Sequence, residues 1–482
     1  MKHLLTIFLL LILVCECRAQ ISRRQLRNDF DLFTRIYEKA NAGLYKHHSK
    51  QEIDSTFRAN RKLIQKHTSY REFYTIVWKV IDFTGSCHNE LSFPYSLKKE
   101  LRKQKIFFPL PLKYLNHKLY SNLEYKTIPL GSELLSVNGI AAKDFAIEVS
   151  RYTSTDGYNL TGKYAFLETG LLFFYIYLAY GEQDSFTITY RDGSEIKQQV
   201  LEPLDYKDAL ENYRTRFIPA YHNNQGPDYF FHYTDSSKTG LLTVNTFGLG
   251  GPKSEGHKNY AAFLDSVFTD LKTHPIQNLI VDIRENGGGN DPNDLLLYSY
   301  LTKRNFRENR SAFTLFNSVP FKQFYVEEET DEIADLEKDL KSEHNIRKNN
   351  RFYQNEQLNP VWIPKTNAFT GKLYLLVSPF VASAGSLFAG MVKSDEESVV
   401  VGQETLGGYY GHTGHISVSY QLPETGLLLT FSIVDLEQDV QELPDQKKGE
   451  GIKPDFTVEQ TIEEYLEGRD MVLEFARNLI HR

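Results

Sequence analysis

The chain has 482 residues, of which 41% are hydrophobic and 24% are charged, an ordinary globular mixture with enough apolar material for sizeable cores. That length predicts about two to four domains. The formal net charge is −7 and no long basic run occurs, which excludes a protein that binds nucleic acid through a positively charged surface.

The first 19 residues are predicted to be a secretory signal peptide. A basic start precedes an apolar stretch from Leu4 to Val14, and the small residue Ala19 follows, where cleavage is expected. The stretch is too short for a good membrane span. A lipid anchor on Cys15 is the alternative, although the bulky residue before it disfavours this. We therefore expect an exported protein (periplasm, cell surface or extracellular space) that has no integral membrane segment after signal removal and retains Cys87 as its lone cysteine, without an intrachain disulfide.

The rest of the chain divides by pattern into three regions. They are an N-terminal helical region, a small β-rich domain and an α/β domain, over residues 20–104, 105–204 and 205–482. In the first region, Ser69 and Glu72 form a capping box that opens a helix ending near Gly85. In the second, Arg191-Asp192-Gly193 predicts a hairpin turn. In the third, buried-type strands alternate with helices, which predicts a mixed or parallel sheet.

A serine at the start of a predicted helix is the first candidate for chemistry. The buried strand Leu373 to Val377 leads through a short loop to Ser383, which has small neighbours and is followed by a helix. Free N–H groups and the positive end of the helix dipole would meet there, as an oxyanion requires. An ordinary N-cap explains the same spacing, and Ser386 in the first helical turn is a rival hydroxyl.

Three consecutive glycines follow another buried strand. Gly287, Gly288 and Gly289 come soon after the strand Leu279 to Ile283, and glycines in such a place expose backbone N–H groups. They could form half of an oxyanion hole. A phosphate-binding loop is the rival interpretation, but the Lys-Ser/Thr pair that it needs does not follow.

A serine nucleophile needs a base within hydrogen-bond reach. His88, just after a helix exit, is the candidate, although an isolated histidine is more often a surface or core residue. Cys87 beside it is a rival nucleophile, disfavoured because adjacent side chains tend to point apart and no glycine-rich helix start follows. His412 and His415 are rival bases or metal ligands. A lone His-x-x-His in a glycine-rich loop lacks further ligands, so we expect neither a metal site nor a cofactor.

Four blocks of the chain, taken in order, resemble peptidase family S41, the tail-specific or C-terminal-processing proteases. They are Lys238 to Phe247, Leu279 to Gly289, Ser383 to Ser386, and Gly451 to Asp455. The segment Gly131 to Gly139 also resembles part of a PDZ domain. Each block is modest, but their shared order makes the resemblance specific over most of residues 70–460.

The resemblance implies a fold, an activity and a set of site residues. The fold is α/β, with a crotonase-like (ClpP-like) core, a PDZ-like β-rich domain and an N-terminal helical region. The activity is that of a serine-type endopeptidase that cleaves proteins or peptides through an acyl-enzyme. The nucleophile falls on Ser383, and the oxyanion donors fall on the amides of Ala384 and Gly288. The PDZ-like domain would hold a substrate's C-terminal segment by strand addition.

Two departures indicate the branch of the family. The Ser–Lys branch carries its base in a Thr-x-Gly-Lys segment, and the matching segment Thr405 to Gly408 ends in glycine. The branch similar to tricorn-type and retinoid-binding-protein-like members uses a histidine before the PDZ-like region, which His88 matches, although its flanking residues differ. A carboxylate completes that branch's site. Glu450 is our candidate, and Glu404 is the alternative.

Two other classes of protein stay open. The first is a catalytically silent protein on the same scaffold that binds a ligand or a peptide, because the residues flanking His88 are altered. A crotonase-like acyl-CoA enzyme is the other, and the export signal and the PDZ-like segment argue against it.

Overall fold

The structure is a computed structural model that describes residues 21–222, 226–234, 238–326 and 332–481. The predicted signal peptide lies outside these residues. The described chain is a mixed α/β protein with three sheets, which confirms the predicted fold class. Within the described ranges, no helix is both long enough and apolar enough to cross a membrane.

The helices and strands of the described residues are numbered here in chain order. The helices are α1 Arg23–Ala40, α2 Lys50–Leu63, α3 Tyr70–Thr84, α4 Tyr95–Leu101, α5 Ala142–Ser150, α6 Leu160–Ala165, α7 Leu172–Tyr180, α8 Tyr206–Arg214, α9 Glu255–Thr273, α10 Asn293–Ser299, α11 Glu332–Glu343, α12 Ala384–Lys393, α13 Ile462–Leu466 and α14 Met471–Ile480. The strands are β1 Glu90–Ser92, β2 Leu112–Leu115, β3 Lys118–Ser121, β4 Glu133–Val137, β5 Ile140–Ala141, β6 Phe186–Asp192, β7 Glu195–Leu201, β8 Tyr229–Tyr233, β9 Thr239–Val244, β10 Asn278–Asp282, β11 Asn309–Thr314, β12 Ile346–Lys348, β13 Arg351–Tyr353, β14 Lys372–Val377, β15 Ser398–Gly402, β16 Thr413–Gln421, β17 Leu428–Gln438 and β18 Phe456–Thr457.

Helices α1, α2 and α3 each begin with a capping box whose N-cap is a serine. The box predicted at Ser69 and Glu72 is therefore confirmed, and α3 ends at Gly85, whose φ of +66° suits glycine. The apolar faces of α1 and α3 are buried in one core that continues into the C-terminal half, where Tyr37 packs on Phe431 with ring centroids 4.9 Å apart. The N-terminal helices thus share a core with residues far along the chain.

The sheet built from residues 112–201 is antiparallel, in the order β2-β3-β4-β6-β7, with β5 paired to β4. The predicted hairpin turn is confirmed, because Gly193 (φ +58°) links β6 to β7. Strand β2 forms one outer edge of this sheet. Helices α5 and α7 pack on the same buried core.

The central sheet of the C-terminal half has the order β18-β15-β14-β10-β9-β8, and all neighbouring pairs except β8–β9 are parallel. The strands predicted before the glycine run and before Ser383 are confirmed as β10 and β14. They are direct neighbours, with Asp282 opposite Leu376. Because the carboxyl ends of adjacent parallel strands meet at one edge, the loops that follow them come together.

The remaining sheet pairs a strand of the N-terminal region with strands of the C-terminal half. Its order is β1-β17-β11-β13-β12, with β16 also paired to β17. Strand β1, two residues after His88, pairs antiparallel with β17, with Leu91 opposite Leu429. This pairing crosses the predicted boundary at residue 104, so the three-region division stays a prediction. It also brings His88 to the C-terminal half.

Candidate active site

Ser383 lies on a sharp turn between β14 and α12. Its backbone has φ +51° and ψ −131°, a combination that non-glycine residues rarely adopt and that costs about 1–3 kcal/mol. Its side chain makes no capping hydrogen bond to α12, so the ordinary N-cap role is not observed. A strained strand-to-helix turn of this kind presents a serine hydroxyl at the carboxyl edge of a sheet.

Ser386, the rival hydroxyl, has a structural role instead. It is completely buried, and its Oγ donates a hydrogen bond to the Ser383 carbonyl oxygen at 2.8 Å. That bond ties the first turn of α12 to the strained residue. Ser386 therefore supports the turn and does not present its hydroxyl to a substrate.

Gly288, in the middle of the glycine run, packs directly against Ser383. A Cβ on Gly288 would lie 2.7 Å from Ser383 Cβ, and Gly288 has φ +108°, so no other residue fits without displacement. The amide of Gly288, however, donates to the buried Asn286 Oδ1 at 2.9 Å. The structure thus differs from the prediction of a free oxyanion donor at Gly288, because the neighbouring asparagine already binds that N–H.

The amide of Ala384 remains available. Ala384 is the first residue of α12, where an N–H group has no intrahelical acceptor, and it has no hydrogen-bond acceptor among the described residues. It follows the serine directly and stands at the positive end of the helix dipole. The predicted oxyanion role of Ala384 is therefore consistent with its geometry.

His88 reaches Ser383 across 295 residues of sequence. Its Nε2 lies 3.2 Å from Ser383 Oγ, within hydrogen-bond distance. The turn at Gly85 and the start of β1 fix the segment, and the His88 amide donates to Ser86 Oγ at 3.3 Å. Burial lowers the pKa of His88 below its usual 6.5, opposed by the negative charge of Asp156. The imidazole is thus neutral near pH 7, as a general base requires.

Cys87 and Asp156 stand behind the imidazole. Cys87 Sγ lies 3.4 Å from His88 Nδ1, contrary to our expectation that the adjacent side chains point apart. Asp156 is almost fully buried and accepts the amide hydrogens of Cys87 and Gly408, each at 2.9 Å. Burial, followed by the charge of Asp156, raises the pKa of the Cys87 thiol well above its usual 9.0. Cys87 thus stays a thiol and is a poor nucleophile.

Asp156 is the residue that our sequence reasoning missed. Its carboxylate, the thiol of Cys87 and a ring nitrogen of His88 all lie within 4.8 Å of one another. The sequence offers only a polar turn, Thr153 to Gly157, at this point. The Gly408 that replaces the family's lysine supplies one of the two amides that hold Asp156, which no local pattern could indicate.

The two glutamates proposed as the orienting acid have hydrogen-bond partners other than His88. The carboxylate of Glu450 accepts the Lys447 amide at 3.0 Å and pairs with the Lys453 ammonium at 2.7 Å. The carboxylate of Glu404 accepts the Gly451 amide and the Thr161 hydroxyl, both at 2.9 Å. Neither carboxylate is hydrogen-bonded to His88 among the described residues, and the orienting role of Glu450 stays a prediction.

The two rival histidines are near the site without contacting the serine. The ring of His412 is buried 5.1 Å from the ring of His88, centroid to centroid, and burial lowers its pKa well below 6.5. His415 faces two carboxylates, Asp291 and Glu308. Burial lowers the pKa of His415, but the hydrogen bonds and charges of the two carboxylates outweigh burial and raise this pKa well above 6.5. His88 is therefore the histidine that the fold brings to Ser383.

Comparison with known proteins agrees with this architecture. Residues 238–458 match the family model of peptidase family S41. The crystal structure of mature CPAF is similar, at 13% sequence identity and a TM-score of 0.61, over 95% of this chain and 96% of that one. The structure of mature CPAF complexed with lactacystin matches at 13% identity and a TM-score of 0.60, over 95% and 97% of the two chains. The comparison with curated proteins found no matching sequence.

The family match covers residues 238–458 of the 482-residue chain, and the family that it names is a family of peptidases. More particularly, residues 238–458 are similar to peptidase family S41. The structural likeness extends the shared fold over nearly the whole chain.

Proposed function

We propose that this protein is an exported serine-type endopeptidase in which Ser383 is the nucleophile and His88 is the general base. The observation that carries the proposal is the 3.2 Å contact between His88 Nε2 and Ser383 Oγ. The strained turn at Ser383 and the available Ala384 amide support it. Export rests on the apolar stretch from Leu4 to Val14 in the sequence.

The acylation step follows from this geometry. Ser383 Oγ attacks the scissile carbonyl carbon while His88 Nε2 takes the hydroxyl proton. The Ala384 N–H stabilises the oxyanion of the tetrahedral intermediate. The imidazolium then gives its proton to the leaving amine, the C–N bond breaks, and an ester to Ser383 remains.

Deacylation uses the same groups in the same order. His88 takes a proton from water, the hydroxide attacks the ester carbonyl, and the proton returns to Ser383 Oγ as the acid product leaves. No external cofactor enters either step. The neutral form of His88 starts both steps, in keeping with the pKa that burial lowers.

Asp156 would act on His88 through the thiol of Cys87. When Nε2 accepts the serine proton, Nδ1 carries hydrogen, and it faces Cys87 Sγ at 3.4 Å. The thiol hydrogen in turn faces the Asp156 carboxylate, whose hydrogen bond to it helps raise the thiol pKa. In this arrangement Asp156 and Cys87 are positioning residues that fix the tautomer and orientation of the imidazole.

The substrate would be an extended polypeptide that joins the PDZ-like sheet to the serine. A cavity of about 730 Å³ lies between the outer strand β2 and the loop before Ser383, lined by Lys113 to Asn116 on one side and by Phe380 on the other. An outer strand can accept a further strand. A polypeptide laid along β2 would therefore run toward the Ser383 turn.

The direct test is hydrolysis of an unfolded test protein. Ser383→Ala is expected to abolish cleavage, a loss of at least about 10³-fold, because the nucleophile is gone. Ser386→Ala is the matched control, three residues away: it keeps the Ser383 hydroxyl and removes only the 2.8 Å bond to the Ser383 carbonyl, so it is expected to lower activity far less than Ser383→Ala. Equal cleavage by wild type and Ser383→Ala would refute the proposal. An absence of cleavage by wild type would instead favour a silent binding protein on this scaffold.

A further inference from the structure

A second cluster of ionisable side chains lies outside the Ser383–His88 site. It consists of Asp291, Glu308 and His415, called here the carboxylate–histidine cluster. Its members come from three segments, before α10, before β11 and within β16. Their candidate ligand atoms all lie within 4.8 Å of one another. Three distant segments thus converge on one point.

The contacts within the cluster have ligand-like spacing. His415 Nδ1 lies 3.4 Å from Asp291 Oδ2, and His415 Nε2 lies 3.1 Å from Glu308 Oε1. Despite that short distance, Glu308 Oε1 has no aligned hydrogen-bond donor among the described residues. Two ligands held about 2.0–2.2 Å from a tetrahedral ion stand about 3.3–3.6 Å apart. The two carboxylates contact opposite ring nitrogens, so a single ion would use one nitrogen together with one oxygen of each carboxylate, atoms that lie within 4.8 Å of one another.

Asp294, three residues after Asp291, provides an independent observation. It is fully buried, and neither of its carboxylate oxygens has a hydrogen-bond partner in the described chain. The negative charges of Asp291 and Glu308 act on this carboxyl group. A buried carboxyl group without a donor is costly and needs a compensating partner. A cation at the cluster would supply it.

Solvent can reach the cluster from its outer side. The exposed fractions of the side chains are 43% for Asp291, 23% for His415 and 13% for Glu308, with the buried Asp294 behind them. His415 has φ +61° and sits where the register of β16 shifts between Gly414 and Ser417. An irregular strand thus turns the imidazole toward the carboxylates, and an ion has a path to them.

We propose that Asp291, Glu308 and one ring nitrogen of His415 form a divalent-cation site that is best suited to Zn²⁺, with the buried Asp294 adding negative charge near it. Imidazole and carboxylate donors without sulfur are a common zinc set. The second ring nitrogen of a metal-bound histidine carries hydrogen, which it donates to an outer partner. The sequence predicted no metal site here because the ligands are spread over residues 291–415.

The site would also secure the loop beside the proposed base. His415 belongs to the segment Gly411 to His415, in which the His412 ring packs 5.1 Å from that of His88. An ion held between this segment and the start of α10 would fix both. The inference concerns cation binding alone, so it does not depend on peptidase activity.

The test is a titration of chelator-treated protein with ZnCl₂, by calorimetry and by elemental analysis after dialysis. One Zn²⁺ per chain is expected. Asp291→Asn, Glu308→Gln and His415→Gln are each expected to weaken binding by at least about tenfold. His274→Gln is the matched control, because His274 pairs with Asp270 at 2.9 Å on the surface without a third ligand. No binding, or equal binding by all variants, would overturn the proposal.

A second measurement locates the ion without any substitution in the cluster. Co²⁺ is expected to give a tetrahedral visible spectrum that lacks a thiolate charge-transfer band. Such a band would place the ion at Cys87, His88 and Asp156, the other group with metal-ligand spacing in the described residues, and would contradict the proposal. Asp294→Asn, a nearly isosteric change that removes the buried negative charge near the site, is expected to leave the fold intact and lower Co²⁺ affinity.

Discussion

The imidazole of His88 is held between groups from distant parts of the chain. Ser383 Oγ faces Nε2 at 3.2 Å, and Cys87 Sγ faces Nδ1 at 3.4 Å, with Asp156 behind the thiol. In the proposed mechanism, a thiol between Asp156 and His88 replaces the direct carboxylate–imidazole contact of the usual triad. It follows that the charge of Asp156 acts on His88 across one intervening side chain.

At this scale we predict that Asp156→Asn lowers kcat/KM by about 10²–10⁴-fold, because it removes the charge that stabilises the imidazolium. The measurement is steady-state hydrolysis of a peptide substrate. Glu450→Gln is the matched carboxyl-to-amide control and is expected to change kcat/KM little. A large loss in Glu450→Gln with near-normal activity in Asp156→Asn would assign the orienting role to Glu450 instead.

The sequence indicated some of these residues and not others for a physical reason. Ser383 could be found because a strand, a loop and a helix start surround it within a few residues. His88 needed the family resemblance, since its own flanks are unusual. Asp156 gave no signal, because two amides from distant segments, Cys87 and Gly408, create its environment.

The turn between β14 and α12 depends on the loop that follows β10. Gly288 lies against Ser383 so closely that a Cβ would come within 2.7 Å of the serine Cβ. The parallel pairing of β10 with β14 sets this approach. The position of Ser383, the proposed nucleophile, thus depends on two neighbouring strand ends and not on α12 alone.

At the scale of these elements we predict that Gly288→Ala lowers kcat/KM by about 10²-fold or more, because the methyl group displaces the nucleophile. Circular dichroism and peptide hydrolysis measure folding and activity separately. Gly139→Ala is the matched control, since Gly139 has φ +77° but open space where a Cβ would be. It has comparable backbone strain without the clash, and normal activity is expected. Equal losses in both variants would argue that strain alone, and not the clash, is responsible.

Local signals predicted the elements that local forces stabilise. The capping box at Ser69, the hairpin at Gly193 and the buried strands β10 and β14 are all present. The pairing of β1 with β17 was not predicted. Strand β1 has only three residues and no turn beside it, so its sequence does not indicate which strand it pairs with or in which register. That pairing nevertheless places His88, so the least predictable contact is essential to the site.

The whole molecule is stabilised by shared cores, with Cys87 the one free cysteine described. One core joins the N-terminal helices, the middle sheet and β16–β17. His344, one helical turn after Leu340 of this core, is 1% exposed and has no hydrogen-bond partner on either ring nitrogen in the described chain. Burial, with a smaller effect from the charge of His415, lowers the pKa of His344 to about 4.

At this scale we predict an acid-labile fold. The folded pKa of His344 lies below its unfolded value of about 6.5, so the unfolded chain binds more protons between these values. The associated stability is complete above about pH 6.5 and is lost as the pH falls toward 4. Urea unfolding at about pH 7 and about pH 5 should show a loss on the order of 2 kcal/mol that His344→Phe removes. The same loss in His344→Phe would contradict this assignment, and His274→Phe, at an exposed histidine, is the control.

The central claim is that Ser383 is a nucleophile activated by His88, and covalent labelling tests it most directly. A fluorophosphonate should add one phosphonyl group per chain, and peptide mass spectrometry should place it on Ser383. Labelling should vanish in Ser383→Ala, fall strongly in His88→Ala and persist in Ser386→Ala. No adduct on folded wild-type protein, or an adduct on a residue other than Ser383, would contradict the account.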